Sequence, residues 1–369
     1  MSPKVRSIFL TGVTGCLGRE MVRELCQTTD HRLFLLIRRK KRFSHWDRAR
    51  KILADAGLEH LLGTRVHVME GDVTQPNFGM HQYDLEILNR EIEEFIHIAA
   101  LTTLNGGKEE CFNINLGGTE NALDLARRFQ REGRLDRFIY FSTAYVAGSL
   151  QTYCAKEDGL PENPSHANHY EASKYEAEKK VRQAMAEGLP VTIFRPSIVV
   201  GHSKTGEVSE FNVIYPFMKL FAHGMIKKLP AFPDNTVNIV PIDFVIQSAC
   251  EIRKQENSKG RTFHLVTLTP PEIQDLLRVK DVDYMALHEI ELVDPDKFCK
   301  EDLSVNEQFV FDMLQPYLGY LNGHLSFDAG NTQAALRDTG IEFPKTDFEF
   351  LRVMVKYAVD AGYLMLPTA

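Results

Sequence analysis

The chain has 369 residues, 44% hydrophobic and 25% charged, with a formal net charge of −7. That length suits a large domain with a smaller companion and a buried pocket, and the acidic balance argues against general nucleic-acid binding, which draws its affinity from phosphate neutralisation. No apolar run approaches the ~20 residues of a membrane-crossing helix, and "MSPKVRSIFLTG" enters a strand-like run without the apolar core and cleavage site of a secretory signal. The expectation is a cytoplasmic protein with no transmembrane segment. Cys16, Cys26, Cys111, Cys154, Cys250 and Cys299 are scattered without paired-ligand spacing, which argues against a metal site and against disulfides.

From the N-terminus, "VRSIFLTG" reads as a strand and "CLGREMVRELCQ" as the helix that follows. Between them stand Gly12, Gly15 and Gly18. Glycine there permits a tight turn and lets backbone N–H groups approach a pyrophosphate, which the positive end of the helix also attracts. Thr14, Leu17 and Arg19 share this loop and helix start and complete the expected phosphate site. "RLFLLIRR" is the second strand. NAD-binding folds place a carboxylate about 20 residues on, whereas an arginine there suits a 2′-phosphate. This chain has Arg38 and Arg39, followed by Lys40, Lys41 and Arg42, and no acidic residue before Asp47. The reading is therefore NADPH, with Arg38 on the phosphate through paired hydrogen bonds and Arg19 and Arg48 as lesser candidates.

Next come the helix "HWDRARKILADAG" and the strand "RVHVMEGD". Asp72, with Val73 beside it, is placed to accept from an adenine amino group. The strand "EEFIHIAA" ends in Ala99 and Ala100, where a bulky side chain would obstruct the cofactor, and Leu101 continues that edge. His97, inside the strand, reads as a structural histidine. The helix "NLGGTENALDLARRFQ", the strand "RFIYFST", a helix around Tyr170 and the strand "PVTIFRPSIVV" follow. This alternation predicts an α/β fold, a doubly wound parallel sheet of the Rossmann kind. "NTVNIVPIDFVIQSAC" and "RTFHLVTL" read as returns to that sheet. Residues 1–200 and 236–268 then form an NADPH-binding domain, and residues 201–235 and 269–369 a smaller, mostly helical substrate-binding part. The last helix begins with Thr346 and Glu349 at capping-box spacing.

The segment "HYEASKYEAEKK" holds two tyrosine-to-lysine pairs at helical spacing, Tyr170 with Lys174 and Tyr175 with Lys179. Residues four apart share a helix face, while the offset of five turns the two tyrosines about 140° apart, so only one can face a cofactor.

With "TGVTGCLG", "FSTAYVAG" and "YEASK" in this order, the chain resembles an extended short-chain dehydrogenase/reductase over roughly residues 5 to 250. The family pattern carries serine immediately before the lysine, which Ser173 supplies for Lys174; Glu178 stands in that place before Lys179. The resemblance therefore makes Tyr170 the catalytic acid and Lys174 its partner, lying near the phenol and the cofactor ribose and favouring the phenolate. Thr143 matches the family's hydroxyl residue and would hydrogen-bond the substrate oxygen. Ser142 is the weaker choice because alternate strand residues face opposite ways. Asn115 matches a family position and reads as a helix cap. Pro196, Ser197 and Ile198 match the strand end that holds the cofactor amide.

Within the family, "LIRRKKRFSHWDRARKIL", "GDVTQPNFGM", "STAYVAG", "VNIVPIDFV" and "FDAGNTQAALRDTGIEFP" resemble the branch of fatty acyl-CoA reductases and the thioester reductase domains of carboxylic acid reductases and peptide synthetases. The resemblance implies reduction of an acyl thioester, from acyl-CoA or an acyl-carrier protein, to aldehyde, with a second reduction to alcohol also open to this group. Phe211, Val213, Ile214, Phe217, Met218, Leu220 and Phe221 would then line an acyl tunnel, and Lys204, Lys227 and Lys228 would meet phosphates of CoA or a carrier arm. The alternative within the same family is a nucleotide-sugar epimerase or dehydratase, or a hydroxysteroid-type dehydrogenase; those epimerases generally hold NAD, and Arg38 counts against them. None of these motifs encodes an oligomeric state.

Overall fold

A computed structural model describes residues 5–40, 42–148, 152–225, 227–278, 290–321 and 324–364; Lys41 lies outside these. The strands are β1 (Ser7–Thr11), β2 (Arg32–Ile37), β3 (Val66–Glu70), β4 (Glu94–His97), β5 (Arg137–Phe141), β6 (Thr152–Ala155), β7 (Val191–Pro196), β8 (Ile198–Val200), β9 (Lys228–Pro230), β10 (Ile239–Pro241), β11 (Arg261–Leu265), β12 (Glu291–Val293) and β13 (His324–Phe327). Seven of them form one parallel sheet in the order β11-β7-β5-β4-β1-β2-β3. Strand order reverses between β1 and β4, and in such sheets ligands bind beyond the carboxyl ends of the strands at that point.

Strands β4, β5 and β7 are buried along their whole length, as a parallel sheet covered on both faces requires. The period of two along β1 divides the core. Ile8 and Leu10 join Val22, Leu25, Leu53 and Val245 on one face, from the helices α1 (Cys16–Thr28) and α2 (His45–Asp55) and a later helix that packs on α1. Phe9 points the other way, among Leu85, Leu88, Phe129, Phe138 and Val181. That face carries α3 (Gln82–Glu91), α5 (Gly118–Arg131) and α6 (His169–Ala186), with the short α4 (Lys108–Cys111) leading towards α5.

A second core lies outside the sheet. It gathers Tyr215 and Phe217 of α7 (Ile214–Ala222), Leu229, Val237, Ile239, Ile273 of α9 (Ile273–Leu277), Val310 and Leu314 of α10 (Val305–Leu318), and Leu351 and Met354 of α12 (Phe348–Asp360). Between α10 and α12 the chain returns to the sheet: Leu336 of α11 (Gly330–Leu336) is part of the first core, and Ala335, Ile341 and Phe343 pack against it.

Three local expectations are corrected. Only Ile239–Pro241 of "NTVNIVPIDFVIQSAC" is a strand, and it pairs with β8 in a separate two-stranded sheet; Ile242–Ile252 is the helix α8, packed on α1. A helix buried over most of its length carries an apolar run much like that of a buried strand, so periodicity separates them poorly. The run "PVTIFRPSIVV" divides at Ser197 into β7 and β8. The cap of α12 is Asp347, which accepts from the Phe350 N–H at 3.1 Å, while Thr346 is buried and donates to the Thr269 carbonyl at 3.3 Å. Among the described residues no helix is long and apolar enough to cross a membrane.

Candidate active site

The loop between β1 and α1 is built from glycines needed for different reasons. Gly12 has φ +74°, and a Cβ there would lie 2.5 Å from the Ala99 nitrogen. A Cβ on Gly18 would enter the Gly12 carbonyl and lie 2.6 Å from Val13 Cα. Gly15 differs: a Cβ there would meet only the Gly12 oxygen, at 3.5 Å, so the protein itself leaves that side open. Gly15 is also the N-cap of α1, without a side-chain cap and with no acidic residue in the first turn. Uncapped first-turn amides beside an open glycine suit an anion such as a pyrophosphate. Thr14 contributes its carbonyl to Arg19 Nε at 3.1 Å, and Leu17 packs on the core beneath.

Three arginines converge at the end of β2. Arg48 donates to the Arg38 carbonyl at 2.6 Å; its own pKa is lowered by partial burial first, then by the charges of Arg38 and Arg19. Arg38 Nη1 lies 3.2 Å from Asp72 Oδ2, and Asp72 also accepts from the Thr74 N–H and hydroxyl at 3.0 and 2.9 Å. Two residues assigned to opposite ends of an adenosine therefore hold each other here. Arg38 is 55% exposed, free to turn towards a phosphate. Val73 takes Asn121 Nδ2 on its carbonyl at 2.8 Å, while Ala99, Ala100 and Leu101 leave the end of β4 half-buried.

Thr143 follows β5, is 4% exposed, and its hydroxyl lies beside the Tyr170 phenol. Tyr170 stands in the first turn of α6. Burial pushes its phenol up to about 12; the Thr143 bond works against that, and Glu171 adds to it. Lys174, one turn on, is 2% exposed. Its Nζ donates to the Tyr140 hydroxyl at 2.9 Å and the Phe141 carbonyl at 2.7 Å, and burial pulls it down to about 7 against the pull of Glu178. This departs from the expected arrangement. The ammonium is drawn onto the end of β5, and burial, not a neighbouring cation, governs the Tyr170 phenol.

The second pair sits elsewhere. The Tyr175 hydroxyl donates to the Pro161 carbonyl at 2.8 Å, and Lys179 is exposed beside Glu176 at 2.9 Å. Glu178 is fully buried and accepts from Ser142 at 2.6 Å, Arg182 Nε at 2.8 Å and Arg195 Nε at 3.0 Å. Arg195 chiefly holds its carboxyl down to about 2 against burial. Ser142 thus faces away from Thr143. Pro196 ends β7 with its carbonyl 3.5 Å from the Thr143 hydroxyl. The buried Ser197 hydroxyl has no partner among the described residues, and the Ile198 N–H donates to Asn238 at 3.2 Å.

Asn115 is not a cap. It lies fully buried within a π-helical turn, Phe112–Gly117. It accepts from the Leu101 N–H at 2.7 Å and donates to the Leu101 carbonyl at 3.1 Å and to Ser173 Oγ at 2.8 Å, tying the end of β4 to the Tyr170 helix. Single-turn π-bulges are frequent at functional sites, yet nothing in "NINLGG" marks one. His97 is buried, hydrogen-bonded to Thr11 at 2.8 Å and stacked on Tyr140; burial holds it down to about 3, neutral and structural.

An apolar cavity opens in the second core. Val213, Ile214, Phe217, Met218 and Phe221 line it as expected, together with Ile198, Leu351 and Met354; Tyr317 and Tyr320 are the hydroxyl-bearing residues of its wall. Phe211 instead stacks on Tyr363 with ring centroids 4.1 Å apart, and Leu220 packs within the lobe. Lys204, Lys227 and Lys228 are exposed.

A family model described as "Male sterility protein", an NAD-binding family, matches residues 10–249. The nonribosomal peptide synthetase asaC of Aspergillus flavus is 28% identical over 92% of this chain, which spans 35% of that protein. The putative fatty acyl-CoA reductase CG8303 of Drosophila melanogaster is 26% identical over 66% of this chain and 51% of its own length. The chain thus spans about half or less of these curated relatives. The crystal structure of the terminal R domain from the myxalamid PKS-NRPS biosynthetic pathway superposes with a TM-score of 0.85 at 28% identity, covering 100% of this chain and 94% of that one. A UDP-glucuronic acid 4-epimerase from Bacillus cereus, at 14% identity and a TM-score of 0.66, shares the fold.

Proposed function

The chain belongs to the male sterility protein family of NAD-binding proteins, and from that premise we propose that it reduces an acyl thioester to an aldehyde with NADPH. The observation that carries the reading is the junction of two surfaces: the Thr143 hydroxyl lies beside the Tyr170 phenol, and Ile198, two residues after the Pro196 whose carbonyl meets Thr143, belongs to the wall of the apolar cavity. A polar reacting end and an apolar tail fit that junction. The relatives support the class, being a peptide synthetase with a matching segment and a putative fatty acyl-CoA reductase.

A nicotinamide dinucleotide held along Gly12, Gly15, Gly18 and the ends of β4 and β7 would supply hydride to the thioester carbon. Thr143 and Tyr170 donate hydrogen bonds to the oxygen as negative charge develops there, and Tyr170 transfers its proton. A phenol near 12 keeps that proton until the oxyanion forms. The hemithioacetal then breaks its carbon–sulfur bond, leaving aldehyde and thiol. Lys174, pulled down to about 7 by burial, can hold or release a proton at neutral pH. Arg38, Arg48 and Arg19 support NADPH over NADH through charge-assisted bonds to a 2′-phosphate.

The cavity supports an aliphatic tail over a peptidyl one. Its wall carries hydroxyls only from Tyr317 and Tyr320 among the described residues, and a buried amide without partners is disfavoured by about 1–3 kcal/mol. In this reading residues 1–200 and 236–268 hold the dinucleotide, with α11 packed on their core, and the rest of the chain receives the acyl chain, delivered by CoA or a carrier protein.

The test is NADPH oxidation against acyl-CoAs, acyl-carrier thioesters, ketones and nucleotide sugars, with products identified. Aldehyde and free thiol from an aliphatic thioester support the reading. Turnover of ketones alone, or NAD retained through purification with epimerase activity, replaces it.

A further inference from the structure

The second core meets the Tyr170 helix at a buried polar point. Tyr320, in the turn after α10, is part of the cavity wall. Its hydroxyl accepts from Asn168 Nδ2 at 3.0 Å and lies beside the Glu171 carboxyl, whose pKa it lowers against burial. Glu171 follows Tyr170 directly, is 2% exposed, and accepts from the Ala167 N–H at 3.0 Å. The two chain segments pass closely there, since a Cβ on Gly319 would lie 3.0 Å from the Ala167 Cβ. The Tyr320 ring also packs edge-on against Tyr145, centroids 4.7 Å apart, and the Tyr145 N–H donates to Thr143 Oγ1 at 3.3 Å.

A glutamate in the first turn of a helix normally stays solvated, where it complements the helix dipole. Glu171 is instead buried, with a hydroxyl and an amide as partners and no cation within ion-pair distance among the described residues. Taking a carboxylate out of water without a cation is unfavourable, so the contact needs a reason. Through Glu171 and Tyr145, Tyr320 reaches the neighbours of both Tyr170 and Thr143.

We propose that Glu171 and Tyr320 are positioning residues, a buried polar clasp closed through Asn168 that fixes the cavity wall in register with the Tyr170 and Thr143 hydroxyls. This rests on the reductase reading above and adds what sets the depth of the acyl chain. A chain lodged against the wall presents its carbonyl to the two hydroxyls only while the wall is held, and a misplacement of about 1 Å can lower a rate by about 100-fold. Chains too short to reach the wall do not depend on it.

Three variants of the full chain test the clasp. Tyr320→Phe keeps the ring and removes the hydroxyl, Glu171→Gln keeps an acceptor, and Glu171→Ala removes the contact. With dodecanoyl-CoA, Tyr320→Phe and Glu171→Ala should lower kcat by about 10- to 100-fold with KM within about threefold, while butanoyl-CoA turnover changes less than about threefold. Glu171→Gln should recover most of the loss. Equal losses at both chain lengths, or none, overturn the proposal. Amide hydrogen exchange gives a readout independent of turnover: residues 314–321 and 167–171 should exchange faster in Tyr320→Phe at unchanged Tm, and unchanged exchange also overturns it. If the wild-type protein reduces no thioester, the reductase reading fails, and the exchange result alone decides the clasp.

Discussion

Helix α6 carries the same tyrosine-to-lysine spacing twice, and the two copies have opposite surroundings. Tyr170 and Lys174 are set against the end of β5, the phenol beside Thr143 and the amine hydrogen-bonded to Tyr140 and Phe141. Tyr175 and Lys179 turn to a loop carbonyl and to solvent. The spacing only brings two side chains onto one helix face; what distinguishes the copies is which face meets the carboxyl ends of the parallel strands. Glu178, four residues after Lys174, helps to fix that orientation, because its buried carboxylate is held by Arg195 and Arg182.

The strongest way to break the contrast is to exchange the roles. Tyr170→Phe should lower kcat by about 10²- to 10⁴-fold with Tm and dinucleotide binding little changed, whereas Tyr175→Phe should keep most of the activity. The reverse result would put the acid on the wrong turn. Next in size is the anchor: Glu178→Ala leaves two arginines without their carboxylate and should destabilise the fold by about 3–5 kcal/mol in denaturant titrations.

The same anchor has a pH signature. The Glu178 carboxyl is held at about 2, below its ordinary 4.5, so its contribution to stability is complete above 4.5 and is lost as pH falls through 2. Glu178→Gln should remove that part of the acid transition. Lys174 acts with the same sign in a higher pH window. At about 7 in the folded protein against 10.5 ordinarily, it leaves the folded state with fewer bound protons between those values, so stability gains with rising pH across that window. Lys174→Met should flatten that slope, as followed by urea titrations at pH 6 and pH 9.

A smaller effect sharpens the cofactor side. Arg38→Ala should weaken NADPH binding about 10- to 100-fold and leave NADH almost unchanged, as loss of a charged hydrogen bond predicts. Equal weakening of both dinucleotides would move the phosphate site elsewhere.

Much of the sheet was legible because buried parallel strands are short apolar runs bounded by turns. The phosphate loop was legible because Gly12 and Gly18 are imposed by backbone contacts that no other residue tolerates. What escaped depends on contacts distant in sequence. α8 resembled a strand because it is buried against α1, and Asn115 resembled a cap because its partners, Leu101 and Ser173, come from two other elements. Tyr140 looks like one more strand residue until Lys174 is seen to donate to it, 34 positions on. Glu171 and Tyr320 lie 149 positions apart in numbering, and local sequence carries no mark of their contact.

The most direct measurement follows the hydride. Given NADPH deuterated at the transferable position of the nicotinamide and an aliphatic acyl-CoA, the protein should yield aldehyde carrying deuterium on its carbonyl carbon, with Tyr175→Phe doing the same and Tyr170→Phe forming almost none. Label-free aldehyde, or equal labelled product from Tyr170→Phe, would contradict the account.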